Sequence, residues 1–111
     1  MKVYSICILK TIKNKKNPTI LTGCQNVSDW NYFTRSSIKD FLIFTTCLVY
    51  NRVKKGKSSI KEKEYVCHSI KNFQDGIGII MITDDEYKST LAFRLMQNLL
   101  KKHLLQMLTK M

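Results

Sequence analysis

SDWNYFTRSSIKDFLIFTTCLVYNR, residues 28–52, is the stretch that decides the fold. It reads as one long helix. Ser28 serves as N-cap, and Asp29 places a carboxylate in the first turn, where the positive helix end favours it. At about 100° per residue, Trp30, Phe33, Phe41, Phe44 and Leu48 fall on one stripe. Ile38, Leu42 and Val49 flank it, while Tyr32, Ile43, Cys47 and Tyr50 lie round the other side. Arg35, Lys39 and Thr46 make a narrow polar seam opposite the stripe. A helix lying on one sheet needs one buried stripe. The apolar surplus here calls for a second contact.

Outward from this helix the pattern changes to strands. Val3–Lys10 alternates but is largely apolar on both faces, as in a strand covered on both sides. Thr19–Gln25 follows as its hairpin partner, across a polar tip that holds Lys13, Lys15 and Lys16 and ends at Pro18. Beyond the helix and the turn Lys54-Lys55-Gly56, Lys57–Lys61 is short and polar, as befits an edge strand. Glu62-Lys63-Glu64 turns, and Tyr65–Asn72 forms a strand with Val66, His68 and Ile70 on one face and Tyr65, Cys67 and Ser69 on the other. A turn from Phe73 to Gly76 leads into Ile77–Ile82, a nearly continuous apolar run that reads as a central strand. Thr83-Asp84-Asp85-Glu86 has the form of a capping box, so the last helix is expected from Asp84 towards Leu108. Tyr87, Leu91, Leu95, Leu99 and Leu100 line its apolar side, with Phe93, Met96, Leu104 and Leu105 nearby.

The order is therefore β-β-α-β-β-β-α in one α+β domain spanning 1–111. Two antiparallel meanders are joined through a helix, with the first and fifth strands at the centre. A sheet that is apolar on both faces needs a helix layer on each side.

Composition narrows the function. With 111 residues, 44% of them hydrophobic, the chain is long enough for one real core. No apolar run reaches the roughly 18 residues a membrane span needs, and the start Met1-Lys2-Val3-Tyr4 is not a signal peptide, so the default location is cytoplasmic. The formal net charge of +11 admits an anionic membrane or an acidic partner. Much of it sits in loop-like Asn/Lys-rich stretches, which read as solvated surface, and nucleic acid is not an expected partner.

Catalytic signals are missing. The four cysteines are scattered singly and read as buried, reduced thiols. Cys67 and His68 are adjacent on a strand and so point to opposite faces, which disfavours a metal site. His68 reads as a hydrogen-bonded structural residue. Ser36-Ser37 has no nucleophile-elbow context. Gly76-Ile77-Gly78 opens a strand, whereas a dinucleotide loop follows one. The expectation is no enzyme activity, no metal and no cofactor.

Several blocks carry a family resemblance. They are Met1-Lys2-Val3-Tyr4-Ser5, Arg35-Ser36-Ser37-Ile38-Lys39-Asp40-Phe41 with Phe44-Thr45, Ile60 to His68, Asp84-Asp85-Glu86-Tyr87, and Leu91-Ala92-Phe93. In this order and spacing the chain resembles the longin domain of R-SNARE proteins, of the prenylated, transmembrane-less YKT type (synaptobrevin-like). The resemblance implies a profilin-like three-layer α-β-α fold with a five-stranded antiparallel sheet. It also implies a regulatory module of vesicle trafficking and membrane fusion, peripheral to Golgi, ER or endosomal membranes. In the family, a hydrophobic groove between the long helix and the polar edge strand receives the protein's own or a cognate SNARE helix, or an acyl or prenyl chain. Phe44 occupies the position of an aromatic facing that groove. Leu42, Ile43, Tyr50, Ser58 and Ile60 are its expected companions.

The chain departs from the family in places. Lys88 and Thr90 replace a usual proline and arginine, and Lys101 and Lys102 stand where acidic residues are common. It stops at Leu108-Thr109-Lys110-Met111, where a SNARE heptad segment and a terminal cysteine box would follow, so no lipid acceptor is expected. An uncovered groove would then favour self-association. The competing readings are a longin-fold subunit of a tethering or adaptor complex, which needs no heptads downstream, and a basic nucleic-acid binder, which requires salt-dependent binding.

Overall fold

A computed structural model of the chain describes residues 2–12, 17–28, 30–72 and 76–109. The expectations for the hairpin tip at 13–16, the Asp29 carboxylate, the turn at Phe73 and the Leu104 side chain concern positions outside the described residues.

Five strands and two long helices form: β1 (Val3–Lys10), β2 (Thr19–Gln25), α1 (Arg35–Arg52), β3 (Gly56–Lys61), β4 (Tyr65–Asn72), β5 (Ile77–Asp84) and α2 (Ser89–Thr109). The sheet has the order β2-β1-β5-β4-β3, and every neighbouring pair is antiparallel. The apolar run of β5 lies at the centre, buried from Ile77 to Thr83. Alternate residues of the strands feed two cores. Cys7, Leu9, Ile80 and Ile82 pack with Leu42, Val49 and Tyr50 of α1. Ile8, Ile79 and Met81 pack with Ala92 and Met96 of α2. The α-β-α layering and the strand order agree with the sequence reading.

The start of α1 does not. The helix begins at Arg35, not Ser28, after a short 3-10 turn at Tyr32–Thr34. Side chains offer this backbone other partners. The Ser28 amide and hydroxyl donate to Asn26 Oδ1 at 3.2 and 2.8 Å. Asn31 Oδ1 accepts from the Phe33 amide at 3.1 Å. The Arg35 guanidinium donates to the carbonyls of Trp30 and Ser28 at 3.1 and 3.3 Å. Trp30 is thereby carried to the edge of the core, edge-on to Tyr4 with ring centroids 5.1 Å apart.

The buried face of α1 is also turned from the expected one. Its buried residues are Leu42, Thr45, Thr46, Val49 and Tyr50, whereas Phe33, Phe41 and Phe44 are 88%, 46% and 66% exposed. Thr46, assigned to the polar seam from the sequence, is fully buried. Its hydroxyl donates to the Leu42 carbonyl at 2.7 Å, so it packs as a β-branched side chain with its polar atom already satisfied.

The capping box is a further correction. Thr83 belongs to β5 and is buried. Asp84 closes the following turn by accepting from the Tyr87 amide at 3.1 Å, and α2 begins at Ser89. Among the cysteines, Cys7 and Cys67 are buried and Cys47 is half-buried, but Cys24 is exposed, against expectation.

Candidate functional site: a cleft between α1 and the edge strand β3

α1 ends where Val53 turns extended, its amide still donating to the Val49 carbonyl at 2.9 Å. Gly56 then adopts φ +109°, a conformation that favours glycine, and starts β3. The chain therefore returns along the helix and leaves β3 as the free edge of the sheet, with its outer backbone groups unpaired by the sheet.

Between α1 and this edge lies a cleft of about 180 Å³. Phe44, Thr45, Leu48 and Arg52 supply the helix wall, and Ile60 and Tyr65 the sheet wall. Phe41 stands edge-to-face with Tyr65, centroids 6.0 Å apart, and separates this cleft from a smaller hollow of about 110 Å³ beside Trp30. On the other flank of Phe44, Ile43 and Cys47 border a further hollow of about 270 Å³. The Phe44 ring is thus a ridge between two depressions, with little to hold it. Arg52, at the end of α1, and Glu62, just past the far end of β3, add opposite charges to the lining. Cys67 lies on its inner wall, and burial pushes its thiol up to about 11, so it is neutral and unreactive near pH 7.

The residues singled out from the sequence divide. Phe44 and Ile60 line the cleft. Ile43 is partly exposed and faces the neighbouring hollow instead. Ser58 lies two residues from Ile60 on the same face of β3, its carbonyl accepting from Ser69 Oγ at 3.4 Å, but it does not line the cleft. Leu42 and Tyr50 are corrections: both are buried in the α1-side core. Tyr50 belongs there because its hydroxyl donates to the Gly76 carbonyl at 2.8 Å and pairs with Thr11 Oγ1 at 2.7 Å. Leu42 reaches only the floor of the smaller hollow. The sequence reading missed Leu48, Thr45 and Arg52 as cleft residues. Their signal is present, since 41, 44, 45, 48 and 52 share one helix face, but by periodicity alone the aromatic stripe on that face reads as core.

His68 is structural, and its tautomer follows from its neighbours. Thr83 Oγ1 donates to the Asp84 carbonyl at 2.9 Å, so it accepts from His68 Nε2 at 3.0 Å. Nδ1 is then the acceptor for Ser59 Oγ at 2.9 Å. Burial pushes the His68 pKa down and holds the ring neutral. No group of three or more His, Cys, Asp or Glu among the described residues is placed to hold a metal ion.

The regulated-SNARE-like longin domain profile matches residues 27–110 of the chain. The chain belongs to the longin family. The VAMP-like protein YKT61 of Arabidopsis thaliana is 30% identical over 104 residues, covering 93% of this chain and 51% of that protein. The synaptobrevin homolog YKT6 of Yarrowia lipolytica is 32% identical over 105 residues, covering 94% and 51%. The Schizosaccharomyces pombe homolog is 31% identical over 105 residues, covering 94% and 52%. The chain therefore spans about half the length of the curated relatives it matches. A longin domain of this SNARE-related kind is a non-enzymatic module of vesicle trafficking. Neither helix of this one, over the described residues, is long and apolar enough to cross a membrane.

Proposed function

We propose that this longin domain regulates a SNARE in ER–Golgi or endosomal transport. It receives an amphipathic SNARE helix, or an acyl or prenyl chain, in the cleft between α1 and β3. Occupancy holds the protein closed and aids its targeting; release frees it for fusion. The observation that carries this reading is Phe44, an aromatic 66% exposed on a rigid helix at the lip of an apolar cleft. Covering such a ring is worth about 1.5–3 kcal/mol. A SNARE helix would lay its apolar seam along Phe44, Leu48 and Ile60, and an extended linker could pair with the open edge of β3. Arg52 and Glu62 would fix its direction. Left uncovered, the same surface favours self-association.

Titration of the isotope-labelled chain with a SNARE-motif peptide tests the proposal. Backbone shifts are expected along Phe41–Arg52 and β3, and Phe44→Glu should abolish them. Absence of shifts, or shifts indifferent to Phe44→Glu, would overturn it.

A further inference from the structure

The opposite face of the sheet carries its own depression. α2 packs on β4 and β5 and only skirts the β1–β2 hairpin. Between its C-terminal half and that hairpin lies a cleft of about 290 Å³. Ile6, Ile8 and Leu99 give it an apolar floor, and Cys24, Lys102 and His103 border it.

The electrostatics of this cleft are one-sided. β1, β2 and α2 contain no aspartate or glutamate along their whole length. Lys102 is exposed and makes no ion pair among the described residues. His103 Nε2 is shut off from water and has no hydrogen-bond partner among the described residues. An apolar floor beneath an uncompensated cation and an unsatisfied ring nitrogen matches one ligand chemistry, an alkyl chain ending in an anion. A neutral apolar guest would leave both polar groups as they are.

We propose that this cleft binds a short-chain carboxylate amphiphile. The chain lies over Ile6, Ile8 and Leu99, and the carboxylate accepts from Lys102 Nζ at the mouth. After a small turn of the ring, the same head group gives His103 the partner that the described residues do not supply. The volume sits at the lower end for ligand pockets and suits a short alkyl chain. The site is on the far side of the sheet from Phe44 and does not depend on the α1–β3 proposal.

Sub-micellar octanoate, with octanol as the uncharged control, tests this by methyl and histidine-ring NMR at neutral pH. Saturable shifts are expected at Ile6, Ile8, Leu99 and the His103 ring. Lys102→Glu should weaken octanoate by about tenfold or more, the size of one charge-assisted contact, and octanol should bind more weakly by a similar factor. Lys102 is exposed, so its replacement leaves the fold intact; Leu99→Trp, which fills the floor, is an independent block. Equal binding of octanol, indifference to Lys102→Glu, shifts confined to Phe44 and Ile60, or no shifts at all would each overturn the proposal.

Discussion

The ring of Tyr50 occupies the space where a side chain on Gly78 would begin. A Cβ at Gly78 would lie 2.8 Å from Tyr50 Cε2 and 2.9 Å from the Ile70 carbonyl oxygen. The glycine in the central strand is what lets α1 approach β5 this closely. Gly78→Ala should therefore destabilise by overpacking, by about 1–3 kcal/mol. Urea unfolding would show a lower midpoint at unchanged slope. An unaltered midpoint would mean that the helix can move off without penalty.

The same tyrosine ties together the end of β1 and the start of β5. Its hydroxyl donates to the Gly76 carbonyl and accepts from Thr11 Oγ1, while Lys71 Nζ donates to its backbone carbonyl at 2.8 Å and sits 4.3 Å from the ring centroid. Tyr50→Phe keeps the packing and leaves two part-buried groups without this partner. A loss of about 1–2 kcal/mol is expected. Amide exchange should speed up locally at Thr11 and Gly76, and uniform exchange across the sheet would contradict this assignment.

The sheet was legible from sequence because β strands declare themselves by alternation and central strands by unbroken apolar runs. β1, β2 and β4 carry the boundaries read from the residues, and β5 was recognised as central from Ile77–Ile82. α1 was misread for two physical reasons. Its start is fixed by hydrogen bonds that Asn26 and Asn31 Oδ1 accept and that the Arg35 guanidinium donates, which compete with helix in a way periodicity does not register. Its rotation was set by counting Thr46 as polar, although a threonine bonded back to its own helix packs as an apolar residue. Half a face of rotation exchanged Phe44 for Leu42 and Tyr50 in the core. The cleft residues Phe44 and Ile60 were named through the family resemblance; Leu48 and Arg52 needed the correct rotation.

His68 makes stability depend on pH. Its folded pKa is pushed below the ordinary 6.5 by burial. In the window just below 6.5 the unfolded chain therefore takes up a proton more readily than the folded one. Stability is full above about pH 6.5 and is lost as pH falls through that value and on towards the lower folded pKa. Urea midpoints at pH 7.5 and 5.5 should differ more for the native chain than for His68→Gln. Equal slopes in the two proteins would exclude this histidine as the source.

Thiol chemistry should separate the cysteines by burial. Cys24 is exposed, and a water-soluble disulfide reagent should modify it first. Burial raises the pKa of both Cys7 and Cys67, the latter to about 11, which leaves little thiolate near pH 7. Those two should react only as fast as the protein opens. Cys24→Ser should remove the fast phase in the time course of modification. A fast phase that survives would place another thiol in reach of solvent.

The rotation of α1 itself is open to a paired measurement. Leu42 is buried between helix and sheet, whereas Phe44, two residues on, projects into solvent beside the cleft. Leu42→Ala should cost about 2–4 kcal/mol as a core truncation. Phe44→Ala, although it deletes the larger side chain, should change stability by only about 0.5 kcal/mol or less. The sequence-periodicity alternative reverses the order, because it buries Phe44 in the stripe with Trp30 and Leu48. Chemical denaturation of the two variants side by side decides between these rotations without reference to any ligand. A Phe44 variant that is stable yet defective in peptide binding would locate its role at the surface of the domain.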